Sequence, residues 1–191
     1  MKIYLIRHTK VDVPPGTCYG QTDVPVMNSF QEEAVKVKSN IEGISFTHCF
    51  ASPLTRCRKL AETIVPDGLT IQYDDRLKEL NFGEWEGKQW SNFEGTFDAK
   101  KWFNNYMTEP CPGGESYTQL IERVRLFLND LSQLPDDSTV MVVSHGGPIR
   151  AFLVLLENID PEKVFDIEID YGEVKQLLTP LNPLKGTFRS V

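Results

Sequence analysis

The hydrophobic and polar positions of this chain follow two different periods in turn. Residues 3–6 and 140–143 are unbroken apolar runs, the pattern of strands buried on both faces. The patterning predicts strands over 2–6, 46–51, 70–73 and 139–144, and a closing hairpin over about 166–178 that turns at Tyr171-Gly172. Between the strands, apolar residues recur at helical spacing. Leu54, Cys57, Ala61 and Ile64 form a stripe behind Ser52-Pro53, a cap-then-proline start. Ser116-x-x-Gln119 is a capping box ahead of Tyr117, Leu120, Ile121, Val124, Phe127 and Leu131. Ile149, Phe152, Leu153 and Leu156 repeat the stripe after Pro148. Strands alternating with helices predict an α/β fold, a three-layer sandwich with a mostly parallel central sheet and helices on both faces.

One stretch breaks the alternation. Residues 80–114 are rich in glycine and in aromatics, among them Phe82, Trp85, Trp90, Phe93, Trp102 and Tyr106. They read as an aromatic-rich excursion over the sheet end where an active site would lie, too short to hold a core of its own. The whole chain, 1–191, then reads as a single domain.

Composition and charge narrow the function classes. A net charge of −7 argues against a nucleic-acid partner. It leaves an anionic small molecule open, because a local group of arginines can be positive on an acidic protein. No run approaches the roughly 20 apolar residues of a membrane span, so no membrane partner is expected. Lys2 is followed by four apolar residues and then Arg7, which is not a secretory signal. Cys18, Cys49, Cys57 and Cys111 lack metal-type spacing and suit fold support in a reducing cytoplasm.

The candidate chemistry sits where strands end. The first run stops at Arg7-His8, and the second runs into Ser144-His145-Gly146-Gly147-Pro148. In open α/β sheets the carboxyl ends of strands face the ligand crevice. A buried arginine beside a histidine is costly unless an anion pairs with it, which points to phosphate chemistry with His8 as nucleophile. The two glycines after His145 permit close backbone approach, and the helix beyond them favours an anion at its amino end. Arg56, at the start of the helix after Ser52-Pro53, can fork two phosphate oxygens. Phosphoryl transfer also needs a carboxylate to protonate the leaving oxygen, and residues 77–87 offer Glu79, Glu84 and Glu86, among which spacing alone does not choose. His48, inside a strand pattern, reads as a structural histidine. Ser144 lacks the Gly-x-Ser-x-Gly elbow of an acyl hydrolase.

Taken in order, these segments resemble the histidine phosphatase superfamily, the phosphoglycerate-mutase-like proteins. Leu5-Ile-Arg7-His8 resembles the amino-terminal motif and Ser52-Pro-Leu-Thr-Arg56 the second arginine motif. Glu79 through Gly87 resembles the acid loop, Pro112-Gly-Gly-Glu-Ser116 the helix start after it, and Ser144-His145-Gly146 the second-histidine motif. The resemblance implies that His8 forms a phosphohistidine, that Arg7, Arg56 and His145 hold the phosphate, and that Glu79 is acid and then base. Glu84 and Glu86 become bystanders. Protein cations then stabilise the transferred phosphoryl group, so neither a metal nor any other cofactor is expected.

Three positions depart from the mutase pattern: Thr9 replaces a usual glycine, Pro14 an asparagine, and Gly147 another asparagine. The chain is also shorter than phosphate-shuttling mutases, which implies a more open site that admits water, hence hydrolysis of a small phosphomonoester. Residues 15–25, including Tyr19, Gly20 and Gln21, resemble the first loop of the α-ribazole-phosphate phosphatase branch, which acts in cobalamin nucleotide-loop assembly. That likeness implies substrate contacts at Gly20 and Gln21, with Trp85, Trp90 and Tyr106 as candidate stacking partners for a base. Rival readings are a broad-specificity or sugar-phosphate phosphatase, a phosphoglycerate mutase, and a non-catalytic phosphoryl-binding module.

Overall fold

The computed structural model describes residues 1–178. In chain order its regular elements are β1 (Lys2–Arg7), α1 (Phe30–Asn40), β2 (His48–Ala51), α2 (Thr55–Ile64), β3 (Ile71–Tyr73), α3 (Phe97–Asn105), α4 (Tyr117–Leu131), β4 (Thr139–Ser144), α5 (Gly146–Glu157) and β5 (Val174–Leu178), with short 3-10 turns between them. The five strands form one sheet in the order β3-β2-β4-β1-β5, parallel except for β5. Successive side chains of a strand point to opposite faces, and the core divides accordingly. Ile3, Leu5, Val140 and Val142 pack with α4, α5 and the aromatics of the excursion. Ile6, Met141, Val143 and Cys49 pack with α1 and α2 on the other face. The predicted three-layer α/β sandwich is the fold observed.

The capping box forms as the sequence specifies: the Ser116 hydroxyl accepts from the Gln119 amide while the Gln119 side chain accepts from Ser116. Two local expectations are corrected. Ser52 does not cap α2, which starts at Thr55; Asp23 of the first loop caps it instead, accepting from the Thr55 amide (2.8 Å) and hydroxyl (2.6 Å). The closing hairpin also has only one strand. Its turn falls at Gly172 as expected (φ +73°), but residues 167–170 are not a strand, and β5 pairs antiparallel with β1. The reason is competition for carbonyls: those of Ile167 and Ile169 accept from the side chains of Arg150 and Arg7, not from a strand partner.

The excursion joins the fold at both ends. Its buried Trp85, Phe93 and Trp102 merge with the core on the α4–α5 face. Its backbone is zipped to the first loop by the pairs Cys18–Lys88, Gly87–Cys18 and Trp90–Gly16.

Candidate active site

The register of β1 and β4 builds the centre of the site. Arg7 pairs with Ser144, so the next residue on each strand, His8 and His145, emerges at the same level. The His8 amide donates to the Ser144 carbonyl (3.0 Å), and the two buried imidazoles meet edge-on with ring centroids 5.1 Å apart.

Their nitrogens are engaged differently. His8 Nδ1 lies 2.7 Å from the Thr9 carbonyl, which can only accept, so the proton is on Nδ1 and Nε2 carries the free lone pair. Burial, reinforced by Arg56 and Arg7, holds the His8 pKa well below its ordinary value, against the opposing pull of the Thr9 carbonyl. The imidazole is therefore neutral at neutral pH. His145 accepts from Arg56 Nε at its Nδ1 (3.2 Å), which places its proton on Nε2, 2.8 Å from the Ser52 hydroxyl. Burial, then Arg56 and His8, lower its pKa in the same direction.

Arg56 is fully buried, an arrangement that normally demands a paired anion. Among the described residues it forms no ion pair; it donates to the carbonyls of Gly20 (2.7 Å) and Thr22 (3.1 Å) as well as to His145. Gly20 is fixed in place by crowding: a Cβ there would stand 1.9 Å from the Leu80 carbonyl oxygen and 2.8 Å from the Phe82 ring. Arg7, at the end of β1, donates through Nη1 to the Ile169 carbonyl, while its buried Nε has no hydrogen-bond partner among the described residues. Each arginine faces a tyrosine ring, Tyr171 at 4.0 Å from Arg7 and Tyr19 at 5.4 Å from Arg56. The two tyrosine hydroxyls hydrogen-bond each other at 2.7 Å.

The three carboxylates of the acid loop separate by geometry. Glu79 Oε1 accepts from its neighbour's amide at Leu80 (2.8 Å) and from the Gly147 amide at the amino end of α5 (3.0 Å). A Cβ at Gly147 would lie 2.2 Å from Glu79 Oε1, so the glycine that departs from the mutase pattern is what lets this carboxylate reach the helix. The Glu79 backbone is held by Gln21 Nε2 (3.1 Å) and Arg123 Nη2 (2.9 Å). Glu86 instead accepts from the amides of Gln21, Thr22 and Phe82 and from the Thr22 hydroxyl, tying the first loop to the acid loop. Glu84 is exposed.

The structure thus brings Arg7, His8, Arg56, Glu79 and His145 into one site. Gly20 and Gln21 border it, through Arg56 and through the Glu79 carbonyl. His48 opens β2 beside Thr47 (2.9 Å) and takes no part, and the four cysteines are buried and free. Among the described residues no group of three or more His, Cys, Asp or Glu side chains could hold a metal ion, and no helix is long and apolar enough to cross a membrane. Four further residues of the site, Ser52 as a histidine partner, Arg123, Tyr171 and Arg150, are not marked out by local sequence. Only Arg150 leaves a usable signal, its spacing of one helical turn from Gly146.

Known proteins resemble this chain in sequence and in fold. "Putative phosphoserine phosphatase 2" of Hydrogenobacter thermophilus is 30% identical over 187 residues, covering 92% of this chain and 88% of its own. A solved structure described as a putative alpha-ribazole-5'-P phosphatase from Escherichia coli superposes with a TM-score of 0.85 at 24% identity, over 92% of this chain and 89% of that one. A phosphoserine phosphatase of Entamoeba histolytica, in complex with 3-phosphoglyceric acid, gives a TM-score of 0.81 at 25% identity, again over 92% and 89%. Residues 3–180 match the histidine phosphatase superfamily (branch 1). The chain belongs to that superfamily, whose members are phosphatases or mutases.

Proposed function

We propose that this chain is a phosphomonoesterase that works through a phosphohistidine on His8. The observation that carries the reading is the Nδ1–Thr9 carbonyl bond, which leaves a neutral Nε2 lone pair beside two guanidiniums that have no carboxylate partner among the described residues. Nε2 attacks phosphorus, and the bond to the leaving oxygen breaks as Glu79 protonates it. Arg7, Arg56 and His145 bear the charge spread over the equatorial oxygens. Glu79, now ionised, takes a proton from water, which attacks the phosphohistidine and releases phosphate. The second step closes the cycle with no other reactant.

Two leaving groups compete. α-Ribazole 5'-phosphate is supported by the first loop, with Gly20 and Gln21 as contacts, and by a cavity of about 470 Å³ lined by Phe82, Trp90, Trp102, Phe103 and Tyr106. Phe82 connects that cavity to Gly20, and the buried Trp102 indole nitrogen has no hydrogen-bond partner among the described residues. Trp85 packs against Phe93 and does not line it. A small carboxylated monoester of the phosphoserine kind is supported by the relatives named above and by Arg150, which shares the space over Gly146 with Arg7 and forms no ion pair among the described residues. A turnover panel of α-ribazole 5'-phosphate, phosphoserine, 3-phosphoglycerate and nitrophenyl phosphate, run in excess chelator, tests the proposal. Turnover with an acid-labile phosphoenzyme is expected. Activity lost to chelator and restored by Mg²⁺, or a phosphoenzyme stable to acid, would defeat it. An α-ribazole phosphate kcat/KM no better than that of the nitrophenyl ester removes the cobalamin reading alone.

A further inference from the structure

Arg150 stands one turn into α5, and its side chain folds back over Gly146. A Cβ at Gly146 would lie 2.8 Å from Arg150 Nη1 and 3.7 Å from both Cζ and Nε of Arg7, so the two guanidiniums share the space above one glycine. That space is also the positive end of a helix, where a second cation is the wrong charge. Arg150 Nε donates to the Ile167 carbonyl (2.9 Å), and Nη1 and Nη2 have no hydrogen-bond or ion-pair partner among the described residues. Burial lowers its pKa, opposed by Glu79, Tyr117 and Glu173, and the like charge of Arg7 lowers it further. A half-buried guanidinium that shares its space with a like charge, its outer two nitrogens without a hydrogen-bond partner among the described residues, is an arrangement that an anion relieves.

We propose that Arg150 reads a carboxylate on the leaving group, held by the Nη1–Nη2 fork while Arg7 takes the phosphate beside it. Arg7 is already committed to the phosphate, so the carboxylate is a second anion on the same molecule. The nearness of the two arginines requires a short link between the groups, as in a phosphorylated hydroxy acid or amino acid. The inference rests on the phosphatase reading for its substrate pose. A forked, charge-assisted pair of this kind corresponds to roughly a ten- to hundredfold preference.

The test compares phosphoserine with phosphoethanolamine, which differs only in lacking the carboxylate. Wild-type protein should prefer phosphoserine at least tenfold in kcat/KM. Arg150→Met should lower kcat/KM for phosphoserine at least ten times more than for phosphoethanolamine, and Arg150→Lys should fall between. If both esters lose equally, Arg150 only props the 167–170 segment and the inference fails, while turnover itself upholds the phosphatase reading. If wild type turns over neither ester, the affinities of the two compounds are measured directly by calorimetry. A tenfold preference that Arg150→Met erases then supports the carboxylate site without the phosphatase reading, and equal affinities overturn it.

Discussion

The carboxyl ends of β1 and β4 look alike in sequence, an apolar run closed by a histidine, yet their imidazoles are left in different states. At the end of β1, one nitrogen of His8 is tied to the next carbonyl and the other makes no hydrogen bond among the described residues. At the end of β4, both nitrogens of His145 are engaged, one by Arg56 and one by Ser52. The segment after each strand explains the difference. β1 runs into a loop whose Thr9 carbonyl is free to fix a tautomer. β4 runs directly into α5, whose Gly147 amide holds Glu79 and whose start leaves His145 between the Arg56 and Ser52 side chains. The same residue at the same level of adjacent strands is therefore left free to attack in one case and locked against Arg56, beside the proposed phosphate site, in the other.

Removing each histidine in turn breaks this comparison most severely. His8→Ala should lower kcat by about 10⁴–10⁶-fold and abolish the acid-labile label, as loss of a nucleophile does. His145→Ala should cost about 10²–10³-fold, the scale of losing one charge-stabilising donor, and should still allow a label to form. Rapid-quench labelling with a radioactive monoester measures both. A label that survives His8→Ala and vanishes in His145→Ala would reverse the assignment.

The carboxylates allow a gentler version of the same test. Glu79→Gln keeps the shape and an acceptor for the Gly147 and Leu80 amides but removes the transferable proton, so kcat should fall by about 10²–10⁴-fold. Glu86→Gln should chiefly lower Tm, because one amide oxygen cannot satisfy the four donors Glu86 now holds. Steady-state kinetics and thermal melts on the two variants separate the roles. A large kcat loss in Glu86→Gln with none in Glu79→Gln would show that the acid has been misassigned.

The strand-end histidines are legible in the sequence because a continuous apolar run fixes a buried strand, and a buried strand fixes where its last residue emerges. Arg56 is legible for the same reason, being placed by a strand-to-helix turn. What escapes is whatever depends on residues far apart in the chain meeting through their side chains. Asp23 caps α2 from the first loop, a role the local Ser52-Pro53 pattern assigns to Ser52, which serves His145 instead. The 167–170 segment has a turn at the right glycine, but two arginines from β1 and α5 claim its carbonyls. Among Glu79, Glu84 and Glu86, spacing is silent because the choice lies with an amide on α5.

The smallest effect expected is on stability, and it tests whether both imidazoles are held neutral. The ordinary histidine value is 6.5, and burial holds both His8 and His145 well below it in the folded protein. Below pH 6.5 the unfolded chain therefore takes up protons at these two positions that the folded chain refuses. Stability is full above 6.5 and is lost as pH falls toward the lowered folded values, by up to about 1.4 kcal/mol per pH unit for each histidine. The window from pH 7 to 5.5 lies above the acid titration of Asp74 and Glu122, which their arginine partners hold below the ordinary carboxylate values. Denaturant melts in phosphate-free buffer over that range should show the wild-type slope fall by about half in His8→Gln or His145→Gln and nearly vanish in the double variant. A slope left unchanged by His8→Gln would mean that the β1 imidazole titrates alike in the folded and unfolded chain, and a slope made steeper would mean that it is charged in the fold; either outcome overturns the buried neutral imidazole on which its role as nucleophile depends.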